Sequence, residues 1–105
     1  MKVLIDDKRI ALPDGTTPDL IARTYQAGLA VMNLLTSGDE LYLDHDLGET
    51  DVDHTGYRIL SLFVDDVDQD FVPESAIPCK VVCVSDNAYG RMRIQQLIDK
   101  LTYHI

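Results

Sequence analysis

Three apolar runs in this chain stop at side chains that can bind cations or move protons. Met1 to Ile5 stops at Asp6-Asp7, Leu41-Tyr42-Leu43 stops at Asp44-His45-Asp46, and Lys80 to Val84 (KVVCV) stops at Ser85-Asp86-Asn87. Short apolar runs of this kind read as strands of a parallel sheet buried on both faces. Ligands of open parallel sheets bind beyond the C-terminal ends of the strands. Carboxylates gathered there repel one another, and a hard divalent cation held by oxygen ligands offsets that repulsion. Magnesium is the candidate. Asp44 and Asp46 also suit phosphoryl chemistry, since one carboxylate can attack phosphorus or ligate a metal while the other ligates or moves a proton. A single acid at a strand end is usually a cap. Asp-Asp at one end, Asp-x-Asp at a second and a hydroxyl at a third exceed what capping needs, because the first and third strands should be neighbours.

Arg91 and Arg93 fall in the first turn predicted for the last helix, where a positive charge opposes the helix dipole at a cost of up to ~1 kcal/mol. A phosphate held by backbone N–H groups between Asn87 and Gly90 and clamped by an arginine would offset that cost. The alternative is that both arginines face solvent and moderate the negative charge of the chain. The acid run from Asp65 to Asp70 (DDVDQD) reads as a solvated helix end rather than a second metal site. Cys79 and Cys83, four apart along a strand at ~3.3 Å per residue, are too distant for a disulfide. The histidines at 45, 54 and 104 do not supply zinc spacing with them.

These groups must be positioned by a regular framework, and the pattern supplies one. Strands are predicted at Met1–Ile5, Leu20–Thr24, Leu41–Leu43 and Lys80–Val84. Helices are predicted from Gln26 to Thr36, from a Thr55 cap to about Val67, and from about Gly90 to Leu101, where Ile94, Leu97, Ile98 and Leu101 repeat at helical spacing. Residues 45–54 form an acidic loop. Residues 8–18 contain two prolines and the Pro13-Asp14-Gly15 turn signal, so a loop stands where a helix would ordinarily join the first two strands. Alternating strands and helices give a small three-layer α/β domain with a parallel sheet, thinner on the face that lacks the helix.

The chain has 105 residues, of which 46% are hydrophobic and 26% charged, with a formal charge of −9. That size fits a single domain over residues 1–105. The charge excludes bulk duplex DNA binding by electrostatic attraction. No run approaches the ~20 apolar residues of a membrane span, and residues 1–12 lack the apolar core of a signal peptide. The expectation is a soluble, cytoplasmic protein without a membrane partner.

In order along the chain, LIDDKR (4–9), LDHDLGET (43–50), TGYRIL (55–60) and VSDNAYGRMR (84–93) resemble the cyclic-phosphate processing receiver-like family, a divergent branch of the response-regulator receiver fold. The resemblance implies a receiver- or flavodoxin-like sheet with the first helix replaced by a loop and the final strand short or absent. It also implies that Asp6, Asp7 and Asp44 form the acidic metal site. Asp44 would be the phosphoacceptor or metal ligand, with His45 and Asp46 completing Asp-His-Asp-Leu-Gly, and Ser85, Asn87 and Gly90 would contact the phosphate. Val84 stands where the family commonly has a histidine, so His45 would have to substitute as acid or base. The chain ends at Ile105 without the final strand and lysine of ordinary receivers, which disfavours a phosphorelay role. The Asp-x-Asp motif is also similar to the opening motif of haloacid dehalogenase-like phosphatases, but theirs lies on the first strand of a longer chain.

The leading expectation is an Mg²⁺-dependent phosphoesterase-like protein that binds or hydrolyses a cyclic phosphate, such as an RNA 2′,3′-cyclic end or a cyclic nucleotide derivative. Its catalytic residues would be Asp44, His45 and Asp46, its metal ligands Asp6, Asp7 and Asp44, and its phosphate-binding residues Ser85, Asn87, Gly90 and Arg91. The rival is a non-enzymatic acidic module that inhibits a protein partner or sequesters a nucleotide, a form that would suit a phage or mobile-element regulator.

Overall fold

Side chains alternate across a strand, and in this chain both sets are apolar. In the computed structural model, which describes residues 1–102, Val3 and Ile5 of β1 (Lys2–Ile5) and Leu41 and Leu43 of β3 (Glu40–Leu43) join the larger core. Leu4 and Tyr42 join a smaller core on the opposite face. Strand β2 (Leu20–Ala22) pairs with the outer edge of β1, and β4 (Lys80–Cys83) with that of β3. All pairings are parallel and the order is β2-β1-β3-β4.

Helices α1 (Tyr25–Met32), α2 (Gly56–Asp68) and α3 (Ala88–Thr102) all pack on the larger core. The reason lies in the strand order. The chain moves outward from β1 to β2, then reverses across β1 to reach β3 and β4. Right-handed connections therefore leave the first crossover on one face and the later ones on the other. The first crossover is the proline-containing loop, so the sheet's third layer is loop alone: Leu12 is buried against Leu4, Tyr42 and Val84. Leu12 is held there by a turn in which the Gly15 N–H donates to the Leu12 carbonyl.

Helix α2 begins where Thr55 accepts a hydrogen bond from the Arg58 N–H at 3.2 Å. It buries Ile59, Leu60, Phe63, Val64 and Val67. Each such burial is worth ~1.5–3 kcal/mol, against the ~0.3–1 kcal/mol that a carboxylate costs at the negative end of a helix. Packing therefore tolerates Asp65, Asp66 and Asp68, which lie exposed in the last turns.

The predicted boundaries shift by two residues or more in three places. Strand β2 stops at Ala22 because Thr24 turns to cap α1, accepting from the Ala27 N–H. Helix α1 stops at Met32, four residues before Thr36. There the Asn33 and Leu34 N–H groups bond three residues back, to Ala30 and Val31, and this tighter turn preserves helix-like spacing while leaving Leu34 exposed. Helix α3 starts two residues before Gly90, capped by Asn87, so Arg91 closes its first turn and Arg93 belongs to the second. Cys79 and Cys83 are free thiols. No helix among the described residues is long and apolar enough to cross a membrane, and His104 lies outside them.

Candidate functional site

The register sets the site. Ile5 aligns with Leu43, and Leu43 with Cys83, so the residues that follow on β1 and β3, Asp6 and Asp44, leave the sheet side by side. The Asp44 N–H donates to the Ile5 carbonyl and the Asp6 N–H to that of Ala22. This is the point where the strand order reverses, the usual ligand crevice of an open parallel sheet. A pocket of about 470 Å³ opens there, lined by Asp6, Asp7, Lys8, Arg9, Asp44, Asp46, Gly48, Ser85, Asp86 and Asn87.

Asp6 is fully buried. Burial opposes its charged form, but the Arg9 guanidinium, 2.8 Å from Oδ2, and the backbone N–H groups of Lys8 and Arg9 on Oδ1 outweigh that and hold the carboxyl below its ordinary range. Arg9 reaches further: its Nη1 lies 3.4 Å from Asp44 Oδ2 and its Nη2 3.0 Å from Asp86 Oδ2. Arg23 fixes the same segment from below, donating to the main-chain carbonyls of Asp6 and Arg9. Asp7 is half-buried, and no hydrogen bond or ion pair reaches its carboxylate from the described residues.

Asp44 has the opposite shift from Asp6. Burial and the neighbouring Asp6 charge push its carboxyl up, against the His45 N–H, Arg9 and the Ser85 hydroxyl, which favour the charged form. Asp46 is exposed. Its Oδ1 meets His45 Nδ1 at 3.0 Å and its Oδ2 accepts from Asn87 Nδ2 at 3.3 Å; the His45 contact chiefly holds its carboxyl down. Asp44 is therefore the stronger base of the two.

His45 is placed away from the pocket. Its ring lies under α3, where a Cβ on Gly90 would collide with it, and its Nε2 is buried without a hydrogen-bond partner among the described residues. Gly56 is needed for a similar reason, since a Cβ there would strike the Asp44 carbonyl. Ser85 is buried at the pocket wall, where its Oγ accepts from the Asn87 N–H. Asn87 caps α3 through Oδ1 while its amide holds Asp46. Arg91 is exposed on a different surface of α3, beside Met92, Gln95 and Asp99.

The structure thus gathers Asp6, Asp7, Asp44, Asp46, Ser85 and Asn87 around one pocket, uses Gly90 and His45 as its packing support, and leaves Arg91 outside. The sequence pattern alone gives no role to Arg9, Lys8 or Asp86. A basic pair directly after two acids was the available signal for Lys8 and Arg9. The Arg91 placement was also readable, because Gly90 extends the inward stripe of Ile94, Leu97 and Leu101 by one turn and puts its neighbour off that face.

One carboxylate oxygen each from Asp6, Asp7 and Asp44 lies within 4.8 Å of the other two. Opposite ligands of an octahedral Mg²⁺ stand ~4.2 Å apart, so the all-oxygen set fits this ion after small side-chain movements. Arg9 now interacts with two of the three carboxylates, and a metal would have to displace its guanidinium.

No curated protein and no solved structure matches the chain. The family model of the cyclic-phosphate processing receiver domain matches residues 1–100, which include all four strands, the loop that replaces the first helix and each strand end at the acidic pocket. With nearly its whole length so matched, the chain belongs to the cyclic-phosphate processing receiver domain family.

Proposed function

We propose that this protein binds a cyclic phosphodiester in the acidic pocket with Mg²⁺ and opens the ring by hydrolysis in the cytoplasm. The observation that carries the reading is the close approach of Asp6, Asp7 and Asp44 in a pocket that also presents Lys8, Arg9, Ser85 and Asn87. A cation held by the three carboxylates would supply neutralisation of the phosphoryl oxygens. The protein's own part is proton transfer and positioning. Asp44, with one oxygen toward the cation, takes a proton from water on its other oxygen as the water oxygen bonds to phosphorus. The ring P–O ester bond breaks on the far side, and the released oxygen takes a proton from solvent at the open mouth. Lys8 and the guanidinium of Arg9, once freed from Asp6 and Asp44, hold the non-bridging oxygens. Asp46 positions Asn87 rather than acting as base, because the His45 contact holds its carboxyl below the ordinary range.

One observation favours the non-catalytic module: no imidazole among the described residues lines the pocket. Val84 is buried in the smaller core and His45 lies under Gly90, so neither position offers the leaving group an imidazole donor. Incubation with a panel of cyclic phosphates and Mg²⁺ separates the two readings. Ring-opened product that disappears in Asp44→Asn supports hydrolysis. Saturable binding without product supports the module, and a macromolecular partner recovered equally by wild type and Asp44→Asn would favour its protein-binding form.

A further inference from the structure

Next to the acidic pocket, the two helix N-termini that flank His45 bring together two tyrosines and an arginine. Tyr57 follows Gly56, whose N–H donates to the His45 carbonyl at 2.8 Å. Tyr89 precedes Gly90, which packs on the His45 ring. Arg93, one turn further along α3, places its guanidinium carbon 3.7 Å from the centre of the Tyr57 ring and 5.5 Å from that of Tyr89. The charge is notable for its partners. In a chain with twice as many carboxylates as basic side chains, no carboxylate among the described residues forms an ion pair with Arg93. It is held by aromatic faces instead, an attraction of cation and ring quadrupole. Tyr89 remains 63% exposed.

The position matters as much as the chemistry. Asn87, which lines the pocket and holds Asp46, is two residues from Tyr89, so their Cα atoms are at most about 7.6 Å apart. A ligand anchored by phosphate beside Asn87 therefore has an exposed ring, with a guanidinium carbon 5.5 Å from its centre, within the length of one nucleoside. Aromatic rings and arginine planes at such a distance are how proteins take up unpaired bases.

Building on the proposed cyclic-phosphate reading, we propose that Tyr89, Arg93 and Tyr57 form a stacking platform for a nucleobase, so that the ligand is a nucleoside cyclic phosphate rather than a base-free polyol or sugar cyclic phosphate. Net charge narrows it further. Each additional backbone phosphate of an oligonucleotide would meet the field of a −9 protein, which favours a mononucleotide over the cyclic end of a longer RNA.

The test is calorimetric binding with Mg²⁺ present, using four probes: adenosine 2′,3′-cyclic phosphate, ribose 2,3-cyclic phosphate without a base, adenosine, and a short RNA ending in the same cyclic phosphate. Wild type should bind the nucleoside cyclic phosphate about tenfold or more tightly than the base-free probe, the range that one stacked base supplies. Tyr89→Ala should remove that difference and leave base-free binding unchanged, while Tyr89→Phe keeps it. Because Tyr89 is exposed, the fold of Tyr89→Ala can be checked by an unaltered melting curve. Arg93→Ala provides a second route to the same loss. Equal binding of the two cyclic phosphates, or a nucleoside preference that survives both alanine variants, overturns the platform while leaving the acidic-pocket reading intact. Failure of every cyclic-phosphate probe to bind overturns both. Tighter binding of the RNA than of the mononucleotide overturns the size assignment.

Discussion

Arg9 spreads one guanidinium over the carboxylates of Asp6, Asp44 and Asp86, and so serves the metal-free pocket as its own cation. This gives opposite signs to two substitutions. Arg9→Gln leaves the buried Asp6 charge with only its backbone donors. The metal-free protein should lose at least ~1 kcal/mol, a fall of roughly 4–8 °C in melting temperature, while the stabilisation added by millimolar Mg²⁺ should grow because the ion no longer competes with a tethered charge. Asp7→Asn removes a repelling charge that receives no hydrogen bond from the described residues. It should raise metal-free stability and abolish the Mg²⁺-specific increment, and an increment equal to wild type would remove Asp7 from the ligand set. Thermal scans with and without Mg²⁺ read both. The increment should also depend on pH. An acid whose folded-state pKa is raised, as at Asp44, stabilises the fold below its unfolded value of ~3.9 and loses that contribution as pH rises through the folded value. Metal binding needs the charged form. The Mg²⁺ increment should therefore fade on acidification at a pH above that of an ordinary carboxylate, which scans between about pH 4 and pH 7 would locate.

At the scale of elements, the loop from Ile10 to Pro18 does the work of a missing helix through Leu12. Leu12→Ala opens the smaller core beneath a segment with little regular hydrogen bonding. A cost of ~2–5 kcal/mol is expected, measurable by urea denaturation; a change below ~0.5 kcal/mol would show that the loop is not the structural layer of that face. The sequence made several elements legible. Apolar runs that stop at acids marked β1 and β3, and two prolines marked the loop. What pattern alone did not mark was the end of α1, because a turn bonded three residues back keeps Leu34 and Leu35 near helical spacing. His45 was likewise illegible as a packing residue. Its neighbours in sequence are pocket acids, whereas the contact that fixes its ring comes from Gly90 on another element.

For the whole molecule, an excess of nine negative charges acts on every equilibrium at once. Monovalent salt should raise the melting temperature by screening this repulsion, with most of the gain by ~0.15 M, where the Debye length is about 8 Å. The site-specific part of any Mg²⁺ effect is what remains at matched ionic strength. The net charge was plain from composition, but its distribution was not: the acids of α2 face solvent, while Asp6 and Asp44 are buried beside a guanidinium. Only the strand register decides which acids meet.

One segment runs from the Asp6 carboxylate, through the Arg9 side chain and the Arg23 tether, into the turn that seats Leu12. Its amide protons should therefore exchange with solvent as a single cooperative unit, opening more readily than the strands beneath it. When a cation displaces Arg9, that unit loses an anchor at its start while keeping the Leu12 contact at its far end. Amide exchange at Leu12 and Gly15 should accelerate on addition of Mg²⁺ even as exchange in β1 and β3 slows. Occupancy of the pocket would thus be readable, by mass or by resonance, in the loop that covers one face of the sheet.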